Sequence, residues 1–476
     1  MDYIRSVTIQ GLRGFADAGR LLLAVPSREA GSGLTVLLGP NNGGKSTVAE
    51  AFRAIGRQEG VSFREGTRNM ATDEQVELQV ETFGGSSATL RTVGAGGSAT
   101  SWKYDDGGRP DILDRILVLP ARRTFPAYFS GSPGATQERE KFVKAVATSP
   151  FRGDSLNYFG QRLFKIQETP EAFNALLTRL VGRPIAWHLE ESASGQWYLK
   201  ISRGGGSHSS EGLGEGLVSL IMLASALFDS KPGHVIVIDE PEMSLHPALQ
   251  QRLLEVLVEH AGTRQIVIAT HSPYMVGWQF TEVGAKIARV SHNGQTSQIS
   301  QLSEGLLAEL DGVRRDRNNP HVLGLDATSA FFLEENVVLV EGQEDALLYP
   351  AILKILGVEL NGSIYGWGVG GAGKMRLIAR LLSQLGFERV AGVLDGNMEE
   401  EVEKLRREFP KYRFVSIPAD DVRTKPAVPA RDATQGLLDE EGRIREDLRD
   451  RARTVFEEVK GYLQDPGDAA AEPKGD

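Results

Sequence analysis

Residues Gly39 to Thr47 read GPNNGGKST, directly after the apolar run Leu34 to Leu38 and directly before a stretch with helical spacing. A buried strand, a glycine loop and a helix in that order commit this part of the chain to an α/β arrangement. The loop has the composition of a phosphate cradle. Its glycines let backbone N–H groups approach an anion, Lys45 reaches the outer phosphates, and the Ser46 hydroxyl can ligate magnesium. Gly39, Asn41, Asn42, Gly43, Gly44, Lys45, Ser46 and Thr47 are the candidate nucleotide contacts.

Two further apolar runs, His234 to Ile238 and Gln265 to Ala269, read as strands buried on both faces. The first continues into VIVIDE, which puts Asp239 at a strand end to hold magnesium through water. Glu240 beside it can orient and deprotonate an attacking water. PEMSLHP follows at once, and ATHS (Ala269 to Ser272) brings His271 to another strand end, where it can meet a γ-phosphate.

A second set of acids lies far downstream. From Asn336 to Ile417 strand-like and helix-like stretches alternate, which predicts a small parallel α/β domain. In VEGQEDA, Glu341 ends the strand Val337 to Val340, Gly342 allows a sharp turn, and Asp345 sits just inside the next helix. Asp395 ends the strand Val390 to Leu394. Acids in such places also cap helices and favour their dipoles. In this order, however, Glu341, Asp345 and Asp395 converge at the carboxyl edge of a parallel sheet, where ligands sit. Hard oxygen donors of this kind suit Mg²⁺ or Mn²⁺.

With 476 residues the chain exceeds what one core supports and has room for two or three domains. Its composition, 24% charged and 41% hydrophobic, is that of an ordinary soluble protein, and no apolar run approaches the roughly 20 residues of a membrane helix. The opening MDYIRSVTIQGLRGF alternates like a strand and lacks a signal-peptide pattern, so the expectation is a cytoplasmic protein without a membrane span. The lack of cysteine excludes disulfides and thiolate chemistry. A net charge of -10 leaves nucleic acid open as a partner, because a polyanion needs only a local basic face.

Residues 1–125 read as short strands of one mixed sheet around the helix after the glycine loop, 130–182 as a helical arm, and Trp187 to Ile201 as a hairpin. The expected boundaries are 1–312 for a first domain and 313–335 for a linker carried by the polar stretch Gly312 to Asn319. A second domain follows over 336–430, then a C-terminal helical segment over 431–465 and a disordered tail over 466–476.

Over residues 1 to about 300 the phosphate loop, VIVIDE and ATHS together resemble the ATP-binding-cassette ATPases of the SMC and RecF type. That resemblance implies ATP as ligand and puts SSEGLGEG (Ser209 to Gly216), with Ser210 and Gly212, in the place of a signature loop that closes over ATP on the opposite subunit. A signature acting in trans implies at least a homodimer. LPARRTF (Leu119 to Phe125) lies where a connecting loop belongs, and Arg122 and Arg123 read equally as surface charges. Residues 335 to 425 resemble the Toprim domain, whose pattern has a Glu after one strand and D-x-D after a later one. Here the second position is Asn397, with Glu399 and Glu400 next to it. PADDVRTK (Pro418 to Lys425) occupies the place where related nucleases carry acids, here Asp420 and Asp421, and a lysine, here Lys425, that offsets transition-state charge.

An ATPase of this kind followed by Toprim is similar to the OLD (overcoming lysogenisation defect) family of ATP-dependent nucleases. The implied fold is α/β: an ABC-type P-loop ATPase with a mixed sheet and short helical arm, then a small parallel Toprim domain. The implied activity is metal-dependent DNA cleavage under ATP control, in phage defence or DNA repair. Two alternatives stand beside it: an ATP-gated DNA-binding scaffold with a degenerate Toprim site, and an effector that cuts RNA or needs a separately encoded partner.

Overall fold

The computed structural model describes residues 2–57, 61–72, 75–94, 96–105, 108–121, 123, 128–129, 159–203, 206–209, 214–316, 318–332, 336–427 and 433–464. The chain divides into two compact units, Met1–Gln301 and Leu302–Asp476.

In the first unit, strands that alternate buried with exposed residues separate from strands that are apolar throughout. Ile4–Gln10 and Glu77–Thr82 alternate and pair antiparallel, with Val7 opposite Val80 and Ile9 opposite Leu78. They belong to a five-stranded sheet in the order Gly19–Leu22, Ile4–Gln10, Glu77–Thr82, Ser87–Thr92, Thr100–Tyr104. Leu34–Leu38, Ile116–Leu119, Val235–Asp239 and Gln265–Ala269 are buried at every position. They build a six-stranded sheet in the order Ser297–Gln301, Lys286–His292, Leu34–Leu38, Gln265–Ala269, Val235–Asp239, Ile116–Leu119, parallel except at the Ser297–Gln301 edge. The one mixed sheet expected over residues 1–125 is therefore two. An antiparallel sheet can leave one face wet, whereas fully apolar parallel strands need cover on both.

The helix Lys45–Ile55 supplies part of that cover, burying Val48, Ala51, Phe52 and Ile55 at three- and four-residue steps in a core lined by strands of both sheets. Of the expected arm, residues 130–158 lie outside the described residues. Phe159–Glu168 and Glu171–Val181 are helices, and Arg162 makes a buried ion pair with Asp229. Ala186–Glu191 and Trp197–Arg203 pair as an antiparallel hairpin.

The second unit is built on a four-stranded parallel sheet in the order Gly362–Ile364, Asn336–Val340, Val390–Leu394, Arg413–Ser416. The chain steps to one side after Asn336–Val340 and to the other with Val390–Leu394. The carboxyl ends of these two strands therefore flank the point where strand order reverses, the crevice in which open parallel sheets bind ligands. Gly362–Ile364 escaped the sequence reading because it is three residues long and only half-buried. The C-terminal helix Glu446–Gln464 buries Ala452, Phe456, Val459 and Leu463, with Phe456 edge-on to Tyr349 at 5.4 Å between ring centres.

Of the polar stretch expected to be a linker, Gly312 to Arg314 close a helix. Glu304–Arg314 is a helix capped by Ser303, with Leu306, Leu310 and Val313 buried, and Asp316 is ion-paired with Lys374. None of the described helices is long and apolar enough to cross a membrane.

Candidate functional sites

The glycine loop joins the strand Leu34–Leu38 to the helix Lys45–Ile55. Gly39 and Gly44 have φ of 133° and 115°, and a Cβ on Gly39 or Gly43 would stand 2.1 or 2.4 Å from the Val290 carbonyl oxygen of the neighbouring strand. Only glycine meets both the angles and that close approach. Asn42 takes a left-handed φ of 60°, which asparagine tolerates.

Lys45 is 4% exposed, and its Nζ donates to the carbonyls of Gly39 and Pro40, each at 2.7 Å. Burial lowers its pKa to about 8, against the pull of Asp239, Glu240 and Glu242. Ser46 Oγ donates to Asp239 Oδ1 at 3.1 Å. Glu240 follows the strand end with φ of 47°, and its N–H donates to the Ala269 carbonyl at 2.7 Å. His271 Nδ1 stands 3.5 Å from Lys45 Nζ, and its Nε2 stands 4.0 Å from Glu240 Oε1. Burial, then Lys45, lowers the His271 pKa to about 4, so the imidazole is neutral at pH 7. Asn41 to Thr47, Glu240 and His271 line one cavity of about 620 Å³.

Arg13, Met243 and Ser297 line the same cavity and carried no sequence signal. Glu242 was also passed over, although its carboxylate accepts from His271 N–H at 2.6 Å and fixes the backbone there. Ser210 and Gly212 lie outside the described residues, as does Arg122. Arg123 is no surface charge: it is 4% exposed.

In the second unit the register sets Val340 beside Val393, so Glu341 and Asp395 leave adjacent strands at the same edge. Glu341 Oε1 accepts from Asp395 N–H at 2.8 Å. The loop Gly366 to Gly371 wraps the other side of Glu341: Gly370 and Gly371 donate N–H to its carbonyl at 3.0 and 2.8 Å. A Cβ on Gly368, φ 86°, would lie 2.7 Å from the Gly342 carbonyl oxygen, which accounts for one glycine of that loop. Asp345 caps the helix Gln343–Leu356 through Gly342 N–H at 2.9 Å and is 6% exposed.

Burial raises the Asp345 pKa to about 6, assisted by Glu341 and Asp421. Burial raises Asp395 to about 8, with Glu341, Asp345 and Asp421 adding repulsion. Glu341 is also raised, first by burial. Lys425 binds Asp421 at 2.6 Å and Glu344 at 2.9 Å, and these bonds outweigh its burial to raise its pKa. Asn397 is exposed in the turn Gly396–Met398, and Glu400 pairs with Lys404 on the next helix.

Does this set suit a divalent cation? Asp395 Oδ1 is buried without a hydrogen-bond partner, and the surrounding donors are hard oxygens whose mutual repulsion a cation would relieve, so the chemistry fits. Among the described residues, however, no three acids or histidines stand close enough to form a ready-made metal cluster.

A nucleotide-type loop stands on one sheet and acids stand at the switch point of another, and the comparisons cover the strands Val235–Asp239 and Gln265–Ala269 of the first unit and the acids Glu341, Asp345 and Asp395 of the second. Residues 110–277 match the family described as "AAA domain, putative AbiEii toxin, Type IV TA system", and residues 332–396 match "Overcoming lysogenization defect protein-like, TOPRIM domain". The chromosome partition protein Smc of Desulfitobacterium hafniense (strain Y51) is 43% identical over 63 residues, 13% of this chain and 5% of the relative. The Old nuclease of Escherichia phage P2 is 30% identical over 166 residues, 33% of this chain and 27% of the relative. The matches thus span about a quarter or less of these relatives' own length.

Among solved structures, an SMC head bound to the C-winged helix domain of ScpA has a TM-score of 0.41 at 15% identity, covering 63% of this chain and 98% of that chain. The SMC head domain from Thermotoga maritima has a TM-score of 0.37 at 17% identity, covering 63% of this chain and 99% of that chain. The chain is thus similar to an AAA-type domain over residues 110–277 and to an OLD-like Toprim domain over residues 332–396.

Proposed function

We propose that the first unit binds and hydrolyses ATP as an ABC-type P-loop ATPase, and that the second is an endonuclease that nicks or cuts DNA under its control, in phage defence or DNA repair. In this reading the ATPase is the unit Met1–Gln301 with its arm near 130–182, and the stretch from Leu302 leads into a Toprim domain over 336–430 with a helical segment behind it.

Within the ATPase, backbone N–H groups of Gly39 to Thr47 hold the phosphates and Lys45 moves from its carbonyl partners to the outer phosphates. Ser46 and Asp239 would hold Mg²⁺, directly or through water, and Glu240 takes the proton of the attacking water. Neutral His271 donates to the γ-phosphate. Ser210 and Gly212 would reach ATP on a second copy, so the working form is a homodimer or higher assembly in the cytoplasm.

In the Toprim domain Glu341, Asp345 and Asp395 would hold Mg²⁺ or Mn²⁺, with Asn397 a neutral fourth ligand. The bound ion would polarise a phosphate and activate water. Lys425, now balanced by Asp421 and Glu344, offsets charge on the phosphate as it reacts. The observation that supports this reading most is the pair Glu341 and Asp395 at the switch point, one carboxylate bonded to the other's backbone while Asp395 Oδ1 stays buried and unpartnered.

A second reading has an observation of its own. Asn397 is neutral where the Toprim pattern has a second aspartate, which favours an ATP-gated DNA-binding protein that does not cut. Supercoiled plasmid incubated with purified protein, Mg²⁺ or Mn²⁺, with and without ATP, separates the two. Metal-dependent nicking or linearisation that Glu341→Ala removes supports the nuclease. Retained plasmid binding without cleavage supports the scaffold, and cleavage of a structured RNA in place of plasmid shifts the substrate class.

A further inference from the structure

Arg123 is buried at 4% exposure beside the segment Asp239 to Pro241, and the roles proposed above give it none. A guanidinium carries five N–H donors. Those of Arg123 meet five acceptors: Nε donates to Ser219 Oγ at 2.9 Å, one terminal nitrogen to the Pro120 and Asp239 carbonyls at 2.9 Å each, and the other to the Glu240 and Pro241 carbonyls at 2.9 and 3.4 Å. Three consecutive carbonyls, 239 to 241, are thereby held by one group. Within that stretch Glu240 has φ of 47°, a left-handed backbone that a non-glycine residue keeps only where its surroundings enforce it.

The fifth bond leads elsewhere. Ser219 lies in the first turns of the helix Glu215–Asp229, directly after the stretch 209–216 that the sequence assigns to a signature loop. The same helix end touches the acid segment again, where Ser244 Oγ donates to Glu215 Oε2 at 3.0 Å. A Cβ on Gly216 would lie 2.4 Å from the Ser244 carbonyl oxygen, so the two segments are in close contact.

We infer that Arg123 is a positioning residue for ATP hydrolysis: it holds Glu240 in its left-handed conformation and ties that carboxylate to the helix that follows the signature loop. This rests on the ATPase reading above. Lysine, with three donors on a point charge, cannot reproduce five bonds in the plane of a guanidinium. Loss of the clamp should therefore lower turnover while leaving nucleotide binding, which uses Gly39 to Thr47, nearly unchanged.

The test uses full-length protein with Arg123→Lys, Ser219→Ala, Glu240→Gln and the double variant Arg123→Lys/Glu240→Gln. ATP turnover is measured beside the affinity for a fluorescent ATP analogue, with thermal melts to confirm folding. A positioned general base contributes on the order of 10²–10⁴-fold, so Arg123→Lys should lose at least about tenfold in kcat with analogue affinity within about threefold. The double variant should be no slower than Glu240→Gln, since both changes act through one carboxylate. Ser219→Ala, which keeps four of the five bonds and the buried guanidinium, should fold normally and lose a smaller part of kcat. Should Arg123→Lys not fold, Ser219→Ala alone decides: unchanged kcat overturns the tie to the helix. Wild-type kcat in Arg123→Lys, or full additivity in the double variant, overturns the inference while leaving the ATPase reading intact. A wild-type protein with no turnover overturns the ATPase reading and this assignment together.

Discussion

Acids at the ends of parallel strands occur in both units, but their charge is balanced differently. In the first unit Asp239 and Glu240 sit among cations and donors of the chain itself: Lys45, the Ser46 hydroxyl and the Arg123 guanidinium. In the second, Glu341, Asp345 and Asp395 face one another, and Lys425 is already shared by Asp421 and Glu344. Burial first, and then those neighbouring acids, raise the Asp395 pKa to about 8. On the function proposed above, one site would receive an anion and the other a cation.

The sharpest way to break this comparison is Glu341→Ala, which should abolish plasmid cleavage while leaving ATP turnover within about twofold. Equal loss of both activities would refute a division of labour. Lys45→Ala should lose ATP turnover by roughly 10²-fold or more, because in the proposed reading its buried ammonium moves to the outer phosphates. Mg²⁺-dependent stabilisation of the second unit should survive that change, as read in a thermal melt.

A subtler effect concerns pH. A carboxyl group whose folded pKa lies near 8 favours the fold while protonated, and that stability is lost as pH rises from about 4 through about 8. In chelator, the melting transition of the second unit should therefore fall between pH 5 and pH 8, and Asp395→Asn should flatten that fall. Added Mg²⁺ should raise the wild-type transition at pH 8 more than that of the variant. A wild-type transition rising with pH would contradict the charge imbalance. The smallest effect is expected at His271. With its pKa near 4, it does not titrate between pH 6 and 8, so His271→Asn should lower turnover without changing the shape of the pH–rate profile in that range.

How much of this was legible in the sequence follows from the same physics. The glycine loop and VIVIDE were readable because the backbone geometry and buried strands they need leave few residue choices. Glu341 and Asp395 were readable because a strand pattern ending in an acid fixes its position along the chain. What was not readable depends on contacts between distant segments. Arg123 looks like any basic residue until the acid segment and the helix Glu215–Asp229 close around it. The division of the N-terminal strands into two sheets depends on partners, as when Ile4–Gln10 pairs with Glu77–Thr82. The helix Glu304–Arg314 did leave a trace in Leu306, Leu310 and Val313 at helical spacing, but the charges of Gly312 to Asn319 at its end obscure that pattern.

The central claim is that two separate chemistries reside in the two units, and the most direct measurement crosses them. Glu240→Gln and Glu341→Gln are each assayed for ATP turnover and for Mn²⁺-dependent plasmid cleavage in the same preparation. The account predicts that Glu240→Gln loses turnover and alters only the ATP response of cleavage, whereas Glu341→Gln loses cleavage and keeps turnover. If either single substitution removed both activities in a folded protein, two independent sites would be contradicted.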